Sequence, residues 1–152
     1  MKSKEKAQKQ PKRVPIREDL FTMPLDRLDQ VRMKGSRCRD CGEVFMGKAT
    51  TCANCCGTGM EELTLSNKGT LWTYTIIRYQ PPGDYKGPVD PFVPFVEGLV
   101  ELPDGIRVVA PVKDCDFEKI RIGMPLELVV HELFQDGDGN QVVAFYFRPA
   151  SA

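Results

Sequence analysis

Five of the six cysteines in this 152-residue chain crowd into residues 38–57, as Cys38-Arg-Asp-Cys41-Gly42 and Cys52-Ala-Asn-Cys55-Cys56-Gly57. Two Cys-x-x-Cys pairs this close read as one tetrahedral metal site, because each two-residue spacer bends into a knuckle that aims both sulfurs at one point. The expected ion is zinc, held by Cys38, Cys41, Cys52 and Cys55. Cys56 offers a second register, Cys-x3-Cys, but the equal spacers favour Cys55 and leave Cys56 a bystander thiol. A glycine after each pair, Gly42 and Gly57, suits a turn with positive φ that brings backbone N–H groups toward sulfur. Arg37, Arg39 and Lys48 are at hand to offset the thiolate charge. Four protein sulfurs fill the coordination shell and leave no place for water or substrate, so the expected zinc is structural. The rival chemistries are a disulfide, which needs an oxidising compartment, and a redox dithiol, which uses one pair on a βαβ scaffold.

Elsewhere the chemistry-bearing residues are sparse. The one histidine, His131, stands beside Glu132 on a predicted strand, where a surface or packing role suits it better than catalysis. Cys115 lies between Asp114 and Asp116, whose charges disfavour a thiolate. With no recognisable nucleophile motif, catalysis by this chain alone is not expected.

The elements that would position the cysteines form a mainly β protein: an N-terminal helix, a rubredoxin-like zinc ribbon and a C-terminal five-stranded OB-fold barrel. Residues 1–17 read as a flexible basic tail too polar to offset its ordering entropy. Residues 18–36 read as a helical segment, with Pro24 in a first turn, Asp26 at the positive end, Gly35 at the stop and Leu25, Leu28 and Val31 as a narrow apolar stripe. The ribbon spans 37–66 and ends in a connecting strand over 61–66, with a turn at Asn67-Lys68-Gly69. In the OB segment, 67–150, Thr70 to Tyr79 predicts a strand with Trp72, Tyr74 and Ile76 on one face and Leu71, Thr73, Thr75 and Ile77 on the other. A second strand over 92–102 contains Pro94 and Gly98, which suggest an edge or bulge. Pro103-Asp104-Gly105 turns it into a third, Ile106 to Val112. A short helical turn over 114–120 precedes the fourth strand, Leu126 to Phe134, and the fifth, Gln141 to Arg148. The acidic Asp136-Gly-Asp-Gly-Asn140 between them is a hairpin turn, lacking the twelve-residue frame and distal glutamate of a calcium loop. Five strands broken between the third and fourth is the order of an OB-fold.

Charge narrows the partners. Residues 1–17 carry seven basic side chains against one acidic, while those beyond 68 carry seven against twelve. An acidic barrel argues against nucleic acid, although Trp72, Tyr74 and Tyr79 could stack bases in a single-strand-binding module, the main alternative. No apolar run approaches a membrane span, and the lysine-rich start lacks a secretory signal's apolar segment, so the cytoplasm is the expected compartment and no membrane partner is expected.

The element order, together with Gly35-Ser-Arg-Cys38-Arg-Asp-Cys41-Gly42, the strand Gly69-Thr-Leu-Trp-Thr-Tyr-Thr and Ile122-Gly-Met-Pro-Leu-Glu-Leu, resembles a particular family. It is similar to the zinc-ribbon/OB-fold proteins, long catalogued as a domain of unknown function, that accompany thiolases and related acyl-CoA condensing enzymes. The resemblance covers roughly residues 20–149 and departs at Ala53, where the family often has proline, and at Cys56, which intrudes before Gly57. Within it, the chain is similar to small thiolase subunits of aromatic-hydrocarbon catabolism. The resemblance implies a non-catalytic subunit in a hetero-oligomer, with a thiolase-fold partner that supplies the nucleophilic cysteine and a shared coenzyme A thioester. The proline-rich stretch from Gln80 to Pro91 is too long for a mere turn. Arg78, Tyr79 and Lys86, with Tyr85 between them, are then the expected surface for the partner or the coenzyme A phosphates.

Overall fold

The computed structural model describes residues 11–151. In chain order it has β1 (Arg13–Pro15), β2 (Lys34–Cys38), β3 (Val44–Met46), β4 (Met60–Thr64), β5 (Lys68–Ile77), β6 (Phe95–Leu102), β7 (Ile106–Val112), β8 (Pro125–Gln135) and β9 (Gln141–Pro149). Single turns of 3-10 helix occur at Leu28–Gln30 and Phe117–Lys119. Among the described residues, no helix is long and apolar enough to cross a membrane.

Alternation builds the barrel. On β6, Val96, Gly98, Val100 and Leu102 are buried while Glu97, Leu99 and Glu101 face out, and β7 buries Val108, Ala110 and Val112 in the same way. β5 pairs antiparallel with β6 and β6 with β7, and β8 with β9. Two contacts close the circuit: Lys68–Thr70 of β5 against Pro125–Glu127 of β8, and a parallel pairing of Val112 on β7 with Phe147 on β9. This strand order is that of an OB-fold. Phe147, Leu71, Leu126 and Val100 form its centre, each fully buried. Gly98 is no bulge, since it pairs in register with Tyr74 and Ala110, and a Cβ there would lie 2.8 Å from Val112 and 2.9 Å from Leu71. The irregularity falls instead on β5, between Leu71 and Thr73.

The expected helix over 18–36 is not formed; Leu28–Gln30 makes only one 3-10 turn. The segment folds back on itself, with Phe21 bridging Met33 antiparallel and Thr22 bonding Arg32 through both its backbone N–H and its side-chain oxygen. Leu20, Phe21, Leu25, Val31 and Met33 are all buried, so the apolar residues are spent on the core from both arms of a loop. Proline disfavours α geometry in the residue before it, and packing of a three-residue stripe is too small a gain to overcome that.

The predicted tail also ends sooner than residue 17. Arg13–Pro15 add a parallel strand beside Gln141–Val143 of β9. Arg13 fastens it, with Nε donating to Glu132 at 2.6 Å and Nη1 to the carbonyls of Leu25 and Asp26. The tail reading for residues 1–10 lies outside the described residues. The ribbon is a separate sheet in the order β3-β2-β4. Its buried Val44 belongs to the same apolar cluster as Leu65, Met33 and the barrel interior, so one core spans both parts.

Candidate metal centre

Two knuckles with one hydrogen-bond plan carry the cysteines. In the first, which leaves β2, the Cys38 N–H donates to the Glu43 carbonyl at 2.9 Å and the Gly42 N–H to the Cys38 carbonyl at 2.9 Å. In the second, the Cys52 N–H donates to the Gly57 carbonyl at 2.8 Å and the Cys56 N–H to the Cys52 carbonyl at 2.9 Å. Cys52, Cys55, Cys56 and Gly57 therefore repeat the places of Cys38, Cys41, Gly42 and Glu43. The sulfurs of Cys38, Cys41, Cys52 and Cys55 all lie within 4.8 Å of one another. Cys38 faces Cys55 at 3.6 Å and Cys41 faces Cys52 at 3.5 Å. A zinc ion with sulfur at about 2.3 Å and tetrahedral angles sets sulfurs about 3.8 Å apart, so the donor set fits such an ion.

This pairing places Cys56 in the position where the first knuckle has glycine: Cys56 has φ 60° and Gly42 has φ 80°. The sequence expectation that Gly57 takes the positive φ is corrected accordingly. Gly57 is small for another reason. A Cβ there would come within 3.2 Å of the Cys55 sulfur and closer still to the Asp40 carboxylate.

Nitrogen donors ease the charge on sulfur. Hydrogen bonds from the Glu43 backbone and then the Asn54 side chain draw the Cys41 thiol down to about 6. The Cys55 thiol accepts a bond from the Gly57 backbone that would lower it, yet the neighbouring sulfurs of Cys38 and Cys41 push it up to about 12. Four thiols so close compete to ionise, and a divalent cation removes that conflict. Asn54 and Cys55 also direct backbone N–H groups at the Cys52 sulfur, at 3.4 and 3.5 Å. Arg39, by contrast, is engaged with Glu61 at 3.2 Å, and Arg37 and Lys48 are exposed.

The other singled-out residues lie elsewhere. His131 packs edge-on against Tyr146, with ring centroids 4.9 Å apart. Burial first, and the Lys113 charge second, hold its pKa below the ordinary 6.5. Cys115 is half-buried against the core, with its sulfur 3.5 Å from the Asp116 carbonyl. Asp136 spends its carboxylate on the N–H groups of Asp138 and Asn140 and on the Asn140 amide, as a hairpin turn requires. Arg78 lies 5.9 Å from the Phe117 ring centroid, whereas Lys86 lies 5.0 Å from that of Phe134 and pairs with Asp84 at 2.6 Å. The two cations thus rest on different rings, and Tyr79 stands exposed beside the first. Tyr85 is not a free contact surface. Its ring stacks on Phe95 at 6.0 Å and meets Phe92 at 5.8 Å, anchoring the proline-rich loop to the root of β6.

Comparison with known proteins gives this architecture relatives. The family described as the ChsH2 C-terminal OB-fold domain matches residues 62–131. A DUF35 domain-containing scaffold protein of Methanothermobacter thermautotrophicus is 35% identical over 119 residues, covering 77% of this chain and 86% of that protein. This chain belongs to the DUF35 family. Another relative, benzoylsuccinyl-CoA thiolase subunit BbsA of Thauera aromatica, is 26% identical over 150 residues, 96% of this chain and 98% of that subunit. Among solved structures, the Ltp2-ChsH2(DUF35) aldolase superposes with a TM-score of 0.59 at 27% identity, covering 79% of this chain and 86% of that one. Relatives named as scaffold and as thiolase subunit, together with a cysteine cluster of closed geometry, support an accessory-subunit role for this DUF35 chain.

Proposed function

We propose that this chain is a non-catalytic subunit of a thiolase-type acyl-CoA complex, and that Cys38, Cys41, Cys52 and Cys55 hold one structural zinc ion. The observation that carries the reading is the nearly end-to-end similarity to a thiolase subunit, in a chain whose clustered reactive groups, among the described residues, are four cysteine sulfurs facing one another. Zinc so held has no position open to substrate; it ties the two knuckles into a ribbon too small to stay folded by burial alone. The ribbon and barrel share a core, so the ion also stiffens the platform offered to the partner.

The partner is a thiolase-fold subunit, which supplies the nucleophile and base that this chain lacks. Its substrate is an acyl-CoA, and the BbsA similarity favours benzoylsuccinyl-CoA thiolysis in anaerobic toluene degradation. Arg78, Tyr79 and Lys86 contribute to the coenzyme A end of that shared substrate, with cations held over aromatic rings beside the loop. Coexpression with the products of neighbouring genes, looking for a thiolase-fold protein among them, tests the reading. A stable mixed complex is expected, whereas two proteins that elute apart contradict it.

One observation favours a second reading, a single-stranded nucleic-acid module: Trp72 is 46% exposed and stacked by Arg107. Glu101 neutralises that arginine at 2.8 Å, which weakens the case. Salt-sensitive, micromolar binding to oligonucleotides in a filter assay would establish it.

A further inference from the structure

Trp72 faces outward at an irregularity in its strand. β5 shifts register against β6 between Leu71 and Thr73, so Leu71 is buried before the shift while Tyr74 and Ile76 pack on the core after it. Trp72 is the extra residue. Bulges interrupt ladder pairing, and here the extra residue leaves Trp72 and Thr73 together on the outer face, so that both Leu71 before it and Tyr74 and Ile76 after it can reach the core.

The indole is flanked by apolar side chains on one side and by an ion pair on the other. Across the outer face, Thr73 pairs with Leu99 and Leu99 with Val109, which is 59% exposed. The Arg107 guanidinium sits 4.1 Å from the Trp72 ring centroid, and its Nε donates to Glu101 at 2.8 Å. An indole held by a cation that is itself held by a carboxylate has already given up much of its rotamer freedom, so less is lost when a partner covers it. Tryptophan and arginine are also the side chains that most often dominate interface energies. Beyond Arg107 the face descends into a crevice of about 610 Å³ between the β6–β7 hairpin and the ribbon, where Glu43 and Glu101 stand among Val44, Leu102 and Ile106.

We propose that this face, centred on Trp72, Leu99 and Val109, is where the thiolase-fold subunit docks. Its matching surface presents an apolar side chain to that centre, bordered by lysine or arginine for Glu43 and Glu97. The assignment rests on the accessory-subunit reading and adds the site and chemistry of contact. Charge complementarity selects the occupant: beyond residue 68 the chain carries seven basic and twelve acidic side chains, a balance that steers a basic-rimmed protein surface toward it and repels phosphate backbones.

The test measures the affinity of the purified full chain for the thiolase-fold protein with which it copurifies. Trp72→Ala and Val109→Asp should each weaken binding by at least about thirtyfold, the range of an interface hot spot. Glu97→Lys should slow association and reduce its salt dependence, with little change in dissociation. Met23→Asp, an exposed apolar position on the N-terminal loop, should stay within about twofold of the parent, the range expected for a surface change away from the interface. Parental affinity in Trp72→Ala and Val109→Asp, with folding verified by circular dichroism, overturns the docking face while the accessory-subunit reading stands. Failure of the unaltered chain to bind any thiolase-fold protein overturns both. A homodimer that Trp72→Ala dissociates in sedimentation overturns the proposal in favour of a second copy of this chain.

Discussion

Replacing Cys56 with glycine should leave the metal centre intact and make the protein more stable. The cysteine holds φ 60° at the place where the matching knuckle has Gly42 at φ 80°. A left-handed backbone costs a residue with a Cβ about 1–2 kcal/mol. Glycine removes that cost but returns about 0.5–1 kcal/mol through its greater freedom in the unfolded chain. The net gain is centred on about 0.75 kcal/mol and reaches at most about 1.5 kcal/mol, which for a protein of this size raises Tm by roughly 2–3 °C and by no more than about 6 °C. The Cys56 N–H bond to the Cys52 carbonyl is a backbone contact and survives the change. Thermal unfolding monitored by circular dichroism, with metal content by plasma mass spectrometry, reads both quantities. Cys55→Ser is the contrasting variant and should lose the metal. A Cys56→Gly protein that released its zinc while Cys55→Ser kept it would refute the knuckle register and the pairing of Cys38 with Cys55.

Removal of the proposed zinc by a strong chelator should abolish amide-exchange protection in β2, β3 and β4 while β5 to β9 keep most of theirs, since the barrel closes through its own strand pairs. His131 should titrate below 6.5 by NMR, and Lys113→Ala should move its midpoint upward, because that lysine opposes protonation. The folded state favours the neutral imidazole, so its contribution to stability is complete above about pH 6.5 and is lost as pH falls through the depressed folded value. Alanine at both Arg78 and Lys86 should raise KM for the acyl-CoA in the reconstituted complex by about tenfold, or roughly 1.4 kcal/mol, with kcat nearly unchanged. An unaltered KM in an intact complex would remove both residues from the coenzyme A site.

The parts of this fold that were legible in the sequence are those governed by local rules. Cysteine spacing singled out the four sulfurs that the structure clusters, because a knuckle is specified by residues a few positions apart. Period-two alternation located the five barrel strands, since each has one face in the core. Non-local effects were not legible. The residues of the expected helix are paired across a loop, Phe21 to Met33, a contact that no window of neighbouring residues reveals. Arg13–Pro15 looked too polar to fold and are ordered by the edge of β9. Trp72 was assigned to the face of Tyr74 because a bulge has no reliable sequence signal. The place of Cys56 was within reach of sequence reasoning: aligning Cys38-x-x-Cys41-Gly42 with Cys52-x-x-Cys55-Cys56 puts the last cysteine where a glycine belongs.

On the proposed reading this chain contributes no catalytic group of its own and acts as part of a thiolase-fold enzyme. Thiolytic turnover of an aromatic acyl-CoA such as benzoylsuccinyl-CoA, measured for the pure chain, for its thiolase-fold partner and for the two recombined, addresses it most directly. Full activity only in the recombined sample, none from the chain alone, and retention of that activity in a Cys115→Ala, His131→Ala variant are the predicted results. Turnover by the pure chain, persisting after both residues are replaced, would contradict the account.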